Sequence, residues 1–141
     1  MYGGNLFEFP DVMQYFSLLT SLDLSSKKIS YVHPNVIPDR NNLIELRMNA
    51  NQLTSIPQAL QKLKHLHRLF ISDNQIPIVE DHAFANLTEL EILWLNGNPI
   101  KYVHPHAFAD LKLTDLNLAS TGLGLFAICL HRYICPFLIT I

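Results

Sequence analysis

The pattern of this chain is clearest in the stretch Leu90-Glu91-Ile92-Leu93-Trp94-Leu95-Asn96-Gly97-Asn98-Pro99-Ile100. Leu93 and Leu95 alternate with residues that point the other way, which is the period of a strand with one buried face. Asn98 follows where the chain must turn away from that strand. Its amide carries both a donor and an acceptor, so it can bond backbone groups of its own turn and of a neighbouring turn. The stretch therefore predicts a short strand that ends in a tight bend.

The same pattern recurs along most of the chain at a nearly constant interval of 24, 23, 24 and 23 residues. A period of this length, held this closely, is typical of a solenoid built from stacked units. Each unit has an alternating apolar pair after its first leucine and so predicts one strand of a parallel sheet. The first leucines of the five units are Leu19, Leu43, Leu66, Leu90 and Leu113.

The bend asparagine is present in the three middle units and absent from the outer two. It is Asn51, Asn74 and Asn98, whereas Lys27 and Thr121 occupy the equivalent positions of the first and fifth units. A lysine cannot act as donor and acceptor in the same way. We therefore expect an asparagine ladder that joins the three middle units and weakens at both ends.

The pattern resembles the leucine-rich repeat signature, L-x-x-L-x-L-x-x-N. Phe84 and Phe108 occupy equivalent places in the second halves of their units, which resembles the 24-residue subtype common in extracellular members of that family. The resemblance implies an α/β-type repeat fold: a curved, right-handed solenoid with a short parallel sheet on the concave face and irregular or 3-10 turns on the convex face. It also implies a protein-interaction module.

The repeat register divides the chain into complete repeats, partial repeats and two terminal segments. Residues 6–18 have the spacing of the second half of a repeat whose strand is missing, which indicates a start inside a longer solenoid. The predicted organisation is a short lead 1–5, a half repeat 6–18, full repeats 19–42, 43–65, 66–89 and 90–112, an incomplete fifth repeat 113–126, and an apolar atypical tail 127–141.

The tail is far more apolar than any earlier segment. A membrane span needs about 20 predominantly apolar residues, and His131, Arg132 and Pro136 interrupt the apolar run. We therefore expect an irregular last turn, or the tail of a truncated gene product, and not a membrane anchor. Cys129 and Cys135 both fall in this tail, so they cannot cross-link the body of the fold, and whether they pair with each other is left open.

Composition and motifs exclude several classes of function. The 141 residues are 49% hydrophobic and 16% charged, which suits a globular domain. A formal net charge of −2 offers no basic face for a nucleic acid. No catalytic or phosphate-binding motif is present, so we expect no enzyme activity and no cofactor.

His82 and His106 share one register, and Glu80 and His104 another; we attribute this to repeat similarity and expect no metal site.

The residues between the leucines of each strand point outward and form one face. Its central column reads Asp23, Arg47, Phe70, Trp94 and Asn117. Contiguous exposed apolar residues with charged neighbours have the makeup of a binding hot spot. The sequence therefore predicts a protein-binding surface composed of Arg47, Arg68, Phe70, Ile92, Trp94, Glu45 and Asp115.

The cellular location depends on where the natural protein begins. Residues 1–11 lack the basic and apolar regions of a secretory signal, so the protein is cytoplasmic if Met1 is the true start. The subtype resemblance instead implies a fragment of an extracellular or cell-surface protein, in which Asn86 of Asn86-Leu87-Thr88 is a candidate N-glycosylation site. The alternatives are an intracellular scaffold or regulatory subunit, and a truncated gene product without independent function.

Overall fold

The computed structural model describes residues 17–123 and the backbone of residues 139–140. The lead, most of the half repeat, Cys129, Cys135 and the interrupted apolar run of the tail lie outside the described residues. The described strands are β1 (Ser21–Asp23), β2 (Glu45–Arg47), β3 (Arg68–Phe70), β4 (Ile78–Val79), β5 (Ile92–Trp94), β6 (Tyr102–Val103), β7 (Asp115–Asn117) and β8 (Ile139–Thr140).

Six of these strands form one parallel sheet in the order β1-β2-β3-β5-β7-β8. Leu46 pairs with Leu69, Leu69 with Leu93 and Leu93 with Leu116, so the repeat leucines stack in register. The same register aligns Arg47, Phe70 and Trp94 in one column on the other face of the sheet. The predicted repeat solenoid with a parallel sheet is confirmed.

Few helices contribute to this fold. Gln58–Lys62 forms a 3-10 helix after Pro57, whose fixed φ of −65° directs the chain into the turn. This helix buries Ala59 and Leu60 against the core. Within the part of the chain that the structure describes, no helix is both long and apolar enough to cross a membrane.

A second, two-stranded parallel sheet joins β4 to β6, and the repeat pattern did not predict it. Ile78 pairs with Tyr102 and Val79 with Val103. Val79 and Val103 face the core, whereas Ile78 and Tyr102 are exposed. A β-branched residue on one face of each strand is enough to pair them once the main sheet has brought the two turns together.

The last described strand lies in the segment 127–141 that the sequence analysis treated as an atypical tail. β8 pairs with β7, placing Ile139 beside Leu116 and Thr140 beside Asn117. Ile139 therefore stands 23 residues after Leu116, which is the interval of the earlier repeats. The end of the tail continues the main sheet.

The asparagines of the middle units bond neighbouring turns through buried carboxamides. The Asn74 Oδ1 accepts the Leu53 N–H at 3.0 Å, and its Nδ2 donates to the Met48 and Ile71 carbonyls at 3.0 and 3.2 Å. Asn98 makes the equivalent bonds, to Ile71 and Ile76 of the preceding turn and to Leu95 of its own, and is fully buried. These bonds satisfy backbone groups at the bend that would otherwise be buried without partners.

The residue immediately before the bend position, which is Asn in the middle units and Lys27 in the first, has left-handed backbone geometry in successive turns. Ser26, Ala50, Asp73 and Gly97 have φ values of 58°, 53°, 55° and 72°. In each case the N–H donates to a carbonyl of the following turn, at 2.9 to 3.0 Å. Only the glycine adopts this geometry without steric cost, so the other three are held in it by the adjacent turn.

Candidate binding surface

The outward-facing side chains of β1, β2, β3, β5 and β7 form what we call the sheet surface. At its centre the Glu45 carboxylate accepts two hydrogen bonds, from Arg47 Nε at 2.7 Å and from Arg68 Nε at 2.6 Å. The Glu45 side chain is only 13% exposed. Hydrogen bonding by Arg68, followed by that of Arg47, lowers the pKa of Glu45 below its ordinary value. Glu45 is therefore ionised at neutral pH and fixes both arginines across strands β2 and β3.

The lowered pKa gives Glu45 a pH-dependent role in stability. A carboxyl group whose pKa is lower in the folded state stabilises the fold above its unfolded pKa, and this contribution is lost as pH falls through the folded pKa. Both arginines are more than 40% exposed, so solvent screening keeps the contribution to about 1 kcal/mol. We expect Glu45→Gln to lower the urea midpoint near neutral pH, and the difference from the wild type to shrink between about pH 5 and pH 3. A difference independent of pH would contradict this role.

Phe70 is buried, which corrects the expectation that it is exposed. Only 6% of its surface is accessible. The Arg47 guanidinium lies over one side of the ring, with Cζ 4.6 Å from the ring centroid, and Trp94 contacts it edge to face at 5.0 Å. A residue that points away from the solenoid core is therefore still covered when longer side chains on the flanking strands fold over it.

Trp94 is the large apolar residue that remains accessible in this column, at 37% exposure. Its Nε1–H donates to Asp115 Oδ2 at 2.9 Å, which fixes the orientation of the indole across β5 and β7. Ile92 is half-buried and lies in register between Arg68 and Asp115. The exposed apolar part of the sheet surface is thus narrower than predicted and is centred on Trp94 with Ile92 beside it.

The structure connects six of the seven predicted residues into one continuous chain of contacts. In the order of these contacts they are Arg68, Glu45, Arg47, Phe70, Trp94 and Asp115. Ile92, the seventh, shares the surface by register with its neighbours in β3 and β7. Neighbouring side chains therefore hold the surface in a defined geometry.

A polar edge borders this surface, and the sequence analysis did not assign it a role. The Ser72 Oγ–H donates to Asn96 Oδ1 at 2.6 Å, and the Ser72 N–H donates to Asn49 Oδ1 at 2.9 Å. Ser72, Asn49 and Asn96 occupy equivalent positions in three successive units. Small polar residues at one repeat position were the only signal for this edge in the sequence.

The glycosylation candidate lies away from the sheet surface. Asn86 is exposed and has a φ of 69°, while Leu87 is fully buried and Thr88 is exposed. The Asn86 side chain is therefore accessible on the turn that follows Phe84. Its modification stays a prediction.

The stacked parallel units define a repeat protein of the solenoid class. Comparison with known protein families identifies the family to which this solenoid belongs. The chain belongs to the leucine-rich repeat family, because the leucine rich repeat pattern matches residues 17–76 and 65–123.

Two individual similarities agree with this assignment. The chain is 38% identical over 60 residues to the human "Leucine-rich repeats and immunoglobulin-like domains protein 1"; this alignment covers 43% of the chain and 6% of that protein. The structure titled "Crystal structure of TLR13-ssRNA13 complex" matches with a TM-score of 0.67 at 24% identity, covering 82% of this chain and 17% of that one. The second similarity concerns the fold alone. The chain spans a small part of the length of each.

Proposed function

We propose that this chain is a protein-interaction module that binds a partner protein on its concave sheet, as part of a cell-surface or secreted leucine-rich repeat protein. The observation that carries this proposal is the exposed indole of Trp94, which is held by Asp115 and packs against Phe70, itself covered by Arg47. Tryptophan and arginine are the residues most enriched in binding hot spots. This surface needs no catalytic group, and its role is recognition.

The size of the surface fits a protein partner. Strands of one sheet are about 4.8 Å apart, so the five strands from β1 to β7 in this sheet span about 20 Å. Each partner in a standard interface contributes about 800 Å². The sheet surface therefore provides the central part of such an interface.

The charges of the surface favour a protein over a nucleic acid. The similar TLR13 structure was solved as a complex with ssRNA13, so a single-stranded RNA is the alternative partner to test. Single strands bind in positively charged grooves with aromatic stacking platforms. Here both arginines are already paired with Glu45, and Asp23 and Asp115 add negative charge to the same face.

Trp94→Ala tests the proposed surface. The probe is an array of purified extracellular proteins and receptor ectodomains, screened with the intact chain. For a partner found in this way, we expect Trp94→Ala to weaken binding by about 30-fold, which corresponds to the loss of a hot-spot residue worth about 2 kcal/mol. Tyr31→Ala is the matched control, because Tyr31 is an exposed aromatic residue outside the strands of the sheet.

Two outcomes would contradict this assignment. One is a partner whose affinity is unchanged by Trp94→Ala but is lost with Tyr31→Ala, which would place the interface elsewhere. The other is binding of a single-stranded RNA oligonucleotide that depends on Trp94 and falls steeply with salt, which would make the partner a nucleic acid. Because Trp94 also covers one edge of Phe70, circular dichroism should show that the Trp94→Ala variant is folded before its affinity is compared with that of Tyr31→Ala.

The proposed secretory origin has a separate test. When the chain is expressed behind a heterologous signal peptide in mammalian cells, we expect one N-glycan on Asn86, because the side chain is exposed. The measurement is a gel shift that disappears on treatment with a peptide N-glycosidase and in the Asn86→Gln variant. Secretion of a folded but unglycosylated chain would count against an extracellular parent.

A further inference from the structure

Three histidines converge on one carboxylate oxygen outside the sheet surface. The Asp81 Oδ1 lies 2.7 Å from His82 Nδ1, 3.0 Å from His104 Nδ1 and 3.7 Å from His106 Nδ1. The repeat register groups the three histidines with Glu80, but the carboxylate that joins them is the neighbouring Asp81. Two successive turns of the solenoid supply these side chains.

The arrangement has the ligand types and spacing of a zinc site. One ligand atom from each of Asp81, His104 and His106 lies within 4.8 Å of the others. Zinc binds imidazole nitrogen and carboxylate oxygen at about 2.0 to 2.2 Å, so two ligands in a tetrahedral site are about 3.4 Å apart. The distances from Asp81 Oδ1 to the His104 and His106 nitrogens, 3.0 and 3.7 Å, lie on either side of this value.

The hydrogen bonding of His104 supports a cation at this position. His104 Nδ1 accepts the backbone N–H of His106 at 3.3 Å, so in that tautomer it carries a lone pair and no proton. The same nitrogen faces Asp81 Oδ1, which is also an acceptor. Two acceptors in contact repel each other, and a cation between them removes this repulsion by taking the His104 Nδ1 lone pair in place of the long hydrogen bond from the His106 N–H.

We propose that Asp81, His104 and His106 form a binding site for a divalent transition-metal cation of the zinc class. Imidazole ligands favour zinc and its neighbours over magnesium and calcium, which prefer oxygen. The Asp81 and His106 side chains are 49% and 59% exposed, so a cation can enter from solution and keep water as its remaining ligand. His82 Nδ1 lies 2.7 Å from Asp81 Oδ1, close enough to help orient the carboxylate. This site is independent of the proposed protein-binding surface.

The chain contains an internal control for this site. Tyr31-Val32-His33-Pro34 and Tyr102-Val103-His104-Pro105 share one local sequence. Each histidine accepts a backbone N–H two residues later, and each contacts its tyrosine edge to face at 6.4 or 6.5 Å. Among the described residues, however, three ligand-type side chains converge at His104 and not at His33. His104 therefore has two further ligand-type side chains nearby, Asp81 and His106, whereas His33 belongs to no such group among the described residues.

The test is titration of the full chain with zinc chloride, followed by calorimetry. We expect His104→Gln and Asp81→Asn each to weaken binding at one site by at least about ten-fold, and His33→Gln to leave that affinity unchanged. Magnesium chloride should not compete. Cys129 and Cys135 are themselves zinc ligands by chemistry, so the comparison between variants, and not the total zinc bound, reports on this site.

Several results would overturn the proposal. They are wild-type zinc affinity in both His104→Gln and Asp81→Asn, an equal loss of affinity in His33→Gln, and no binding heat from the wild type at zinc concentrations up to the millimolar range. Since Asp81 and His106 are exposed and His104 is only partly buried, the variants should retain the wild-type circular dichroism spectrum. A change in affinity would therefore report on ligation and not on unfolding.

Discussion

An Asn74→Ala substitution is expected to lower the free energy of unfolding by about 3 kcal/mol or more. The Asn74 carboxamide is buried and bonds the Leu53 N–H and the Met48 and Ile71 carbonyls. A buried polar group left without its partner costs about 1 to 3 kcal/mol, and alanine leaves several such groups in two adjacent turns. Urea denaturation of the purified chain, followed by circular dichroism, measures the loss.

Asn42→Ala is the matched control for this substitution. Asn42 is exposed and donates one hydrogen bond, from Nδ2 to the Ser17 carbonyl at 2.8 Å. Because water can replace that bond, we expect a loss of no more than about 1 kcal/mol. A similar loss for both variants would mean that the buried asparagine contributes no more than a surface residue, and the ladder would not be a principal source of stability.

Phe84→Ala is expected to have an effect of similar size for a different reason. The Phe84 ring is 1% exposed and stacks on Phe108 with centroids 5.8 Å apart and an interplanar angle of 8°. Truncation of a buried phenylalanine to alanine costs about 3 to 5 kcal/mol, through lost transfer free energy and the cavity that remains. The measurement is again the urea midpoint, with the slope compared to detect loss of two-state behaviour.

Two further variants define the cause of that loss. Phe84→Leu keeps most of the apolar volume and should recover more than half of the stability, because the remaining cavity is smaller. Tyr31→Ala removes an aromatic ring that is 55% exposed and should change stability by no more than about 0.5 kcal/mol. Equal losses for Phe84→Ala and Phe84→Leu would point to the ring stack with Phe108, and not to the cavity, as the dominant contribution.

The main sheet could be predicted from the sequence because its register is fixed by one interval. Leucines 23 or 24 residues apart must stack if each unit is to bury its apolar face, so Leu46, Leu69, Leu93 and Leu116 pair as the spacing predicts. The smaller β4–β6 sheet could not be predicted in this way. Its strands are two residues long, and two residues carry no periodicity to detect.

The membership of the candidate surface could be read from the repeat, but the exposure of its residues could not. Repeat position states which face a side chain occupies. The repeat position does not predict that the Arg47 side chain lies over the Phe70 ring or that Trp94 packs edge to face against it. The repeat position also does not predict whether Glu80 or Asp81 lies near the histidines. The two residues are adjacent on one turn, and the structure places the Asp81 carboxylate beside the histidines.

The left-handed residues before the bend have a consequence for motion. Ser26, Ala50 and Asp73 each keep a conformation that costs about 1 kcal/mol or more, and the carbonyl that holds it belongs to the following turn. When one turn opens, the turn before it loses this support and relaxes more easily. Amide hydrogen exchange should therefore be coupled in one direction within the described turns: a substitution that opens one turn should speed exchange in the turn before it more than in the turn after it.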